Sequence, residues 1–110
     1  MDIHSICITG PSSTIYAGNC STIVAGNQST IQTENSSIAI TGTLGRVRCG
    51  YNGIAIAGYQ GTACGDTGSI LVIKHTGDKS KIAIVGENGI KPDTVYRLDI
   101  DGNFVEADNK

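Results

Sequence analysis

An eight-residue repeat runs without an insertion from Ser5 to Gly68, and it limits the possible folds more than any other feature of this chain. The first position of each octet is Ser or Gly, and the sixth is Gly in six of the eight octets. A short period kept in register over 64 residues indicates a stack of equivalent coils rather than a conventional globular core.

Within each octet, positions 2 to 5 alternate in character, as in TIYA and IAIA, which is typical of a short strand. Positions 6 to 8 are rich in Gly and Asn, which favour a left-handed backbone at a corner, although Glu34 shows that position 6 does not need one in every coil. The pattern predicts an all-β fold, a short parallel β-solenoid with two octets per turn. A three-sided coil is also compatible with the period.

The sixth octet indicates which side chains point outward. Arg46 and Arg48 occupy positions 2 and 4, and burying both without partners would cost several kcal/mol each. We therefore expect positions 2 and 4 to face solvent and positions 1, 3 and 5 to face the interior. There the Ser hydroxyls at position 1 would bond corner carbonyls.

With two octets per turn, the odd octets share one outer face, which we call the odd face. Its outward residues are aliphatic, and a flat patch of this kind predicts a face-to-face homodimer. Two alternatives stay open: the C-terminal tail folds back over the patch, or the Ile pairs of odd octets point inward. The predicted dimer interface comprises Ile6, Ile8, Val24, Ile38, Ile40, Ile54, Ile56, Ile70 and Val72.

The even octets form the opposite outer face, the even face, which is polar and carries Thr62 and Cys64 at its C-terminal end. Aromatic residues and Arg are favoured anchors of protein interfaces. The predicted partner-binding residues are Tyr16, Gln32, Arg46 and Arg48, with Tyr51 and Tyr59 at neighbouring corners.

Charge is concentrated in the tail, where residues 69–110 hold thirteen charged side chains against four in residues 5–68. We expect a single domain over 1–110, with a solenoid over 5–68 and a C-terminal β-hairpin cap over 69–110. Two apolar runs flank the polar turn 75–81, and Asp101-Gly102 separates two further strands, which is a strong hairpin signal. Such a cap would cover the open parallel edges and their apolar residues.

Several functional classes are not favoured. The net charge of −2 argues against nucleic-acid binding, and no apolar run reaches the length of a membrane span. The N-terminus has no secretory signal pattern, and the four Cys form no CxxC pair, so we expect a cytoplasmic protein with reduced thiols. His4 and His75 lie at opposite ends of the array, and no catalytic, metal or cofactor site is expected.

The octets STIYAGNC, STIVAGNQ and GIAIAGYQ resemble the repeats of bacterial ice-nucleation-type β-solenoids. The ending VGENGIKPDTVYRLDIDGNFVEA resembles the cap of small bacterial and phage-encoded octapeptide-repeat proteins, and together the resemblance covers 5–107. It implies the solenoid fold but carries no catalytic residues. The Thr-x-Thr ladders of ice-nucleation repeats are missing, which argues against ice binding.

The sequence therefore favours a non-enzymatic interaction protein with a rigid binding surface. The resemblance to phage proteins suggests an inhibitor of a host defence protein in a bacterial cytoplasm. The alternative is a structural, self-assembling spacer, and ice binding is the third and least favoured function.

Overall fold

The computed structural model describes residues 6–75 and 79–107, and within them the chain forms twelve strands and no helix. Successive strands of the repeat begin eight residues apart as far as β9. The strands are β1 (Ile6–Ile8), β2 (Thr14–Tyr16), β3 (Thr22–Val24), β4 (Thr30–Gln32), β5 (Ile38–Ile40), β6 (Arg46–Arg48), β7 (Ile54–Ala57), β8 (Thr62–Cys64), β9 (Ile70–Lys74), β10 (Ser80–Ile84), β11 (Tyr96–Leu98) and β12 (Phe104–Glu106).

The strands form two six-stranded sheets, in the orders β1-β3-β5-β7-β9-β10 and β12-β11-β8-β6-β4-β2. Within the repeat, each strand pairs in parallel with the strand sixteen residues along the chain, as Ile23 does with Ala39 and Ile31 with Val47. This confirms the β-solenoid with two octets per turn, about four turns long, and it excludes a three-sided coil.

The predicted direction of the side chains is also confirmed. Val47 is buried, whereas Arg46 beside it is exposed and Arg48 is half-buried. Position 3 supplies most of the core between the sheets, from Ile23 and Ile31 to Ala63. The Ile pairs of the odd octets consequently point outward, so the alternative with inward Ile pairs is wrong.

The position 1 serines satisfy backbone groups inside the coil, as the sequence predicts. The buried Ser37 hydroxyl donates to the Gly18 carbonyl oxygen over 3.1 Å and accepts the Ser21 N–H over 3.1 Å. Ser69 repeats this arrangement with Gly50 and Gly53. Each hydroxyl links two coils where the backbone has no strand partner, and an unpaired buried N–H there would cost about 1–3 kcal/mol.

The corners differ from the expectation in one respect: the left-handed residue is at position 8. Seven non-glycine residues at this position have φ between 55° and 61°, and Gly68 completes the series at 85°. The turn directs the N–H along the stack, so that Gln28, for example, donates to the Thr43 carbonyl of the next coil over 2.8 Å. That bond recurs in successive coils and helps offset the cost of about 1–2 kcal/mol per left-handed residue.

Glycine at position 6 has a steric rather than a conformational role. A Cβ on Gly58 would lie 2.4 Å from the carbonyl carbon of Gly42 in the preceding coil. The two coils approach main chain to main chain at this corner, which leaves no space for a side chain.

The tail extends the sheets and closes the C-terminal end of the core. β9 continues the parallel stack, and β10 pairs with it in antiparallel fashion; their connection includes residues 76–78, outside the described residues. The predicted Asp-Gly hairpin is formed by β11 and β12, and β11 pairs with β8. Tyr96, 3% exposed, points inward and packs edge-on against Phe104, with ring centroids 6.4 Å apart.

Candidate functional site

The even face brings four of the predicted partner-binding residues together. Tyr16, Gln32 and Arg48 are successive register partners across β2, β4 and β6, and Arg46 lies two residues from Arg48 on the same side of β6. Neighbouring strands are about 4.8 Å apart, and alternate residues of a strand about 6.8 Å. The backbone hydrogen bonds of the stack therefore hold these side chains on a flat and rigid surface.

Tyr51 and Tyr59 do not join this group as a single patch. Tyr51 lies at the corner that leads out of the even sheet, one coil after Asn35. Its N–H donates to the Asn35 Oδ1 over 2.9 Å. Tyr59 lies at the opposite corner, where its carbonyl accepts the Leu44 N–H. Both side chains are exposed, at 52% and 41%. They consequently border the even face on its two long sides.

Arg48 has a partner that sequence reasoning missed. Its Nη1 lies 2.8 Å from the Oδ1 of Asp93, in the segment that leads into β11. Both side chains are largely solvent-accessible, so the pair itself contributes less than about 1 kcal/mol. Asp93 is 45 residues away in sequence, and no local pattern predicts the pairing. Arg46, by contrast, makes no ion pair within 6–75 and 79–107.

Cys64 is the last residue in the register series that contains Arg48, but its side chain is buried. Its register partner is Arg48, and only 2% of its surface is exposed. The Asp93 segment lies alongside it and is tied down by the bond from the Asp93 N–H to the Gly65 carbonyl over 2.8 Å. Burial raises the pKa of the Cys64 thiol to about 11. The expectation that Cys64 belongs to the open polar face is therefore wrong.

The cap contributes a further arginine to the even face. Tyr96 pairs with Ala63 and points inward, so the next residue, Arg97, points outward on the same side as Thr62. Arg97 is exposed. The Asn103 N–H is the largest cause of the lowered pKa of Asp99, and the charge of Arg97 adds to it. Asp99 thus caps the hairpin turn, accepting the N–H groups of Asp101 and Asn103 at 2.9 Å each.

A shallow groove of about 280 Å³ lies where the even face meets the cap. Arg46 and Arg48 form its floor together with Thr30 and Thr62, and Val95 and Ala107 form the wall on the cap side. Guanidinium groups and hydroxyls side by side suit carboxylate or amide groups of a partner, since Arg binds planar acceptors through paired hydrogen bonds. Of the two arginines, Arg48 is already engaged by Asp93.

The odd face is mostly aliphatic and extends over one strand more than expected. Ile82 and Ile84 of β10 are register partners of Val72 and Ile70, so they extend the patch on its outer side. All twelve described strands belong to the two sheets, and none packs across this face. The alternative in which the tail folds back over the patch is therefore wrong for the part of the tail that the structure describes.

Three further features of the described residues concern metal ligands, membrane spans and thiols. No group of three or more His, Cys, Asp and Glu side chains is placed to hold a metal ion within residues 6–75 and 79–107, and His4 lies outside them. Over the same residues, no helix has the length and apolar character needed to cross a bilayer. Cys49 and Cys64 are buried free thiols, and burial raises the pKa of both.

The candidate site is thus a flat, arginine-containing sheet face bordered by tyrosines and backed by a rigid coil. Comparison of the chain with protein-family models, with curated proteins and with solved structures finds no match.

Proposed function

We propose that this chain is a non-enzymatic interaction protein that binds a macromolecular partner through its even face. The observation that carries the proposal is the exposed Arg46 guanidinium, which has no ion pair among the described residues and stands on a rigid sheet in line with Thr30 and Thr62. The ordered backbone beneath this side chain needs no rearrangement to bind, so only the side chain itself loses conformational entropy. Tyr16, 73% exposed, supplies an apolar anchor on the same surface.

A protein partner suits this surface better than a nucleic acid. Nucleic-acid binders neutralise many phosphates with clusters of Lys and Arg, whereas here Asp93 already pairs with Arg48 and Glu106 with Lys91. The net charge of −2 would further oppose a polyanion. An interface with a few Arg and Tyr anchors among Thr and Gln residues has the composition typical of protein–protein recognition.

The resemblance to small phage-encoded octapeptide-repeat proteins gives this proposal its more specific form, a phage or prophage inhibitor that blocks a host defence protein in the bacterial cytoplasm. A flat rigid surface without a cleft suits inhibition by steric blocking. The second candidate is a structural, self-assembling spacer, which the exposed aliphatic odd face favours.

Co-purification from bacterial host lysate tests the proposal, followed by reconstitution with the purified partner. Arg46→Glu and Tyr16→Ala are each expected to weaken binding at least about tenfold, as interface anchors do. Lys79→Glu is the matched control, because it reverses an exposed charge away from the even face. Arg48 is left unchanged because its substitution would also break the ion pair to Asp93.

Three outcomes separate the candidate functions. An inhibitor lowers its partner's activity at a stoichiometric ratio, and the Arg46→Glu variant does not. A spacer retains its role with Arg46→Glu but loses it when self-association is abolished. Binding that is unchanged by both even-face variants would exclude this face as the binding surface.

A further inference from the structure

We propose that two copies of this chain pack odd face against odd face to form a dimer whose two even faces point in opposite directions. This inference concerns a different surface from the proposed function and does not depend on it.

The first argument is that the central strands of the odd sheet carry their larger side chains on the outer side. In β5 and β7 the inward residues are Ala39 and Ala55, both 0% exposed, while the outward residues are isoleucines. The even sheet of the same molecule shows the opposite arrangement, with Ile31 and Val47 inside and polar residues outside. Apolar area stabilises only where it leaves water, so the odd sheet is built to be buried on both sides.

The second argument is the continuity of the patch. Apart from the terminal pair Lys74 and Ser80, the six odd-sheet strands contribute twelve outward register positions, of which eleven are Ile or Val and one is Thr22. The exposed fractions are highest on the outer strands, at 77% for Ile6 and 68% for Ile82, because the inner isoleucines shield one another along their ladders. β10, which could have covered the face, instead enlarges it.

The third argument is that a second copy of the chain matches this patch in size and charge. Six strands about 4.8 Å apart carry the patch for roughly 25 Å along the stack. Together with the corners on either side of it, the broad face of this 39 × 28 × 28 Å molecule is comparable in area to the ~800 Å² per partner buried in a standard interface. None of these twelve positions is charged, and Lys74 projects from the C-terminal end of β9, where its ammonium can remain in water at the rim of the interface, so two copies meet without burying an unpaired ion. A flat ladder of isoleucines is also self-complementary under a two-fold axis, which the commonest class of homo-oligomer requires.

The resulting dimer is a stack of four sheets in the order even-odd-odd-even, with three dry layers: one core inside each subunit and the interface between the two odd faces. Its even faces lie on the outside, turned away from each other, so each carries its own copy of Arg46 and Tyr16. The assembly would therefore present two equivalent partner-binding surfaces at once.

Sedimentation velocity over a wide concentration range tests the dimer. Wild-type protein is expected to sediment as a dimer that dissociates on dilution. Ile40→Thr/Ile56→Thr is expected to raise the dimer dissociation constant at least about tenfold, since both centre residues lose apolar area in both subunits. Thr is chosen because Thr22 already occupies an outward position of the same sheet, in register with Ile38. Circular dichroism and a cooperative melt confirm folding.

Ile100→Thr is the matched control, because it makes the same change at a side chain that is 92% exposed on the cap turn. It should leave the dissociation constant unchanged. If the double variant does not fold, Ile6→Thr/Ile8→Thr alters the highly exposed edge strand instead and should weaken the dimer in the same direction. A wild-type protein that stays monomeric at every concentration, a dimer insensitive to both Ile→Thr pairs, or an odd face taken up by a lipid vesicle or a different protein would each overturn the inference.

Discussion

Gly58 and Gln28 show that two positions of the same corner obey different constraints. Position 6 is limited by space, because neighbouring coils touch there through their main chains, whereas position 8 is limited by backbone conformation. Only Asn52 and Gly68 at position 8 are residue types that adopt the left-handed region at low cost. Each constraint therefore predicts whether a substitution raises or lowers stability. The residue type alone would not indicate this.

We expect Gly58→Ala to destabilise the protein by about 2 kcal/mol or more, since the new methyl group would meet the Gly42 main chain, which cannot move without disturbing the stack. Gly10→Ala at the same octet position is the control, because nothing lies within 4 Å of its Cβ. Its effect should stay within about 0.5 kcal/mol. Urea unfolding of both variants measures the difference, and equal effects would refute the steric account.

Gln28→Gly is expected to stabilise the fold by up to about 1 kcal/mol. Its φ is 60°, so glycine relieves a left-handed conformation at an exposed site while the backbone bond to Thr43 is kept. The identical change at Gln32, which is extended in β4, should instead destabilise by about 1 kcal/mol. The melting temperatures of the two variants should shift in opposite directions from that of the wild type. Shifts of the same sign would contradict this prediction.

At the scale of the element, the cap segment before β11 decides the environment of Cys64. The thiol faces outward from β8, yet the segment that carries Asp93 excludes it from water and raises its pKa to about 11 from 9.0. The raised pKa links cap docking to pH, because unfolding releases a thiol that ionises more readily.

We therefore expect stability to fall as pH rises from about 9 to about 11. Below the unfolded-state pKa of 9.0 the thiol is neutral in both states, and between the two pKa values only the unfolded state loses its proton, so unfolding becomes more favourable. The loss is on the order of 2 kcal/mol. Unfolding free energies of wild type and Cys64→Ala across this range measure it; a difference between them that does not change with pH would refute the prediction.

At the scale of the whole molecule, the stack is closed at one end by antiparallel strands and an aromatic contact. Tyr96, Leu98 and Phe104 pack against the last coil, whereas Cys7 and Ile15 in the first coil are only partly buried. In a solenoid each coil is stabilised mainly by its neighbours, so local stability should decrease towards the first coil.

Amide hydrogen exchange should reveal this gradient. We expect β1 and β2, each paired with one neighbour within the described chain, to exchange faster than the inner strands β4 to β7. Tyr96→Ala should accelerate exchange in β8 more than in β3, because the lost packing is local to the cap. Uniform exchange along the stack, or uniform acceleration by the variant, would indicate a single cooperative unit instead.

The sequence by itself determined the solenoid and the outward direction of Arg46 and Arg48, because these follow from a local period repeated eight times and from the cost of burying charge. It favoured a sixteen-residue turn, but the choice over a three-sided coil came from the strand pairing. It also indicated one polar face and one aliphatic face. The positions of Tyr16 and Gln32 beside the arginines follow from the same register.

Only the tertiary structure decided the rest, since each remaining feature joins residues that no local pattern relates. The pairing of Arg48 with Asp93 and the burial of Cys64 depend on where the cap docks. The addition of Ile82 and Ile84 to the odd face depends on which sheet β10 joins. The left-handed backbone at position 8 depends on carbonyls of the next coil, which become acceptors only once the chain has completed a turn.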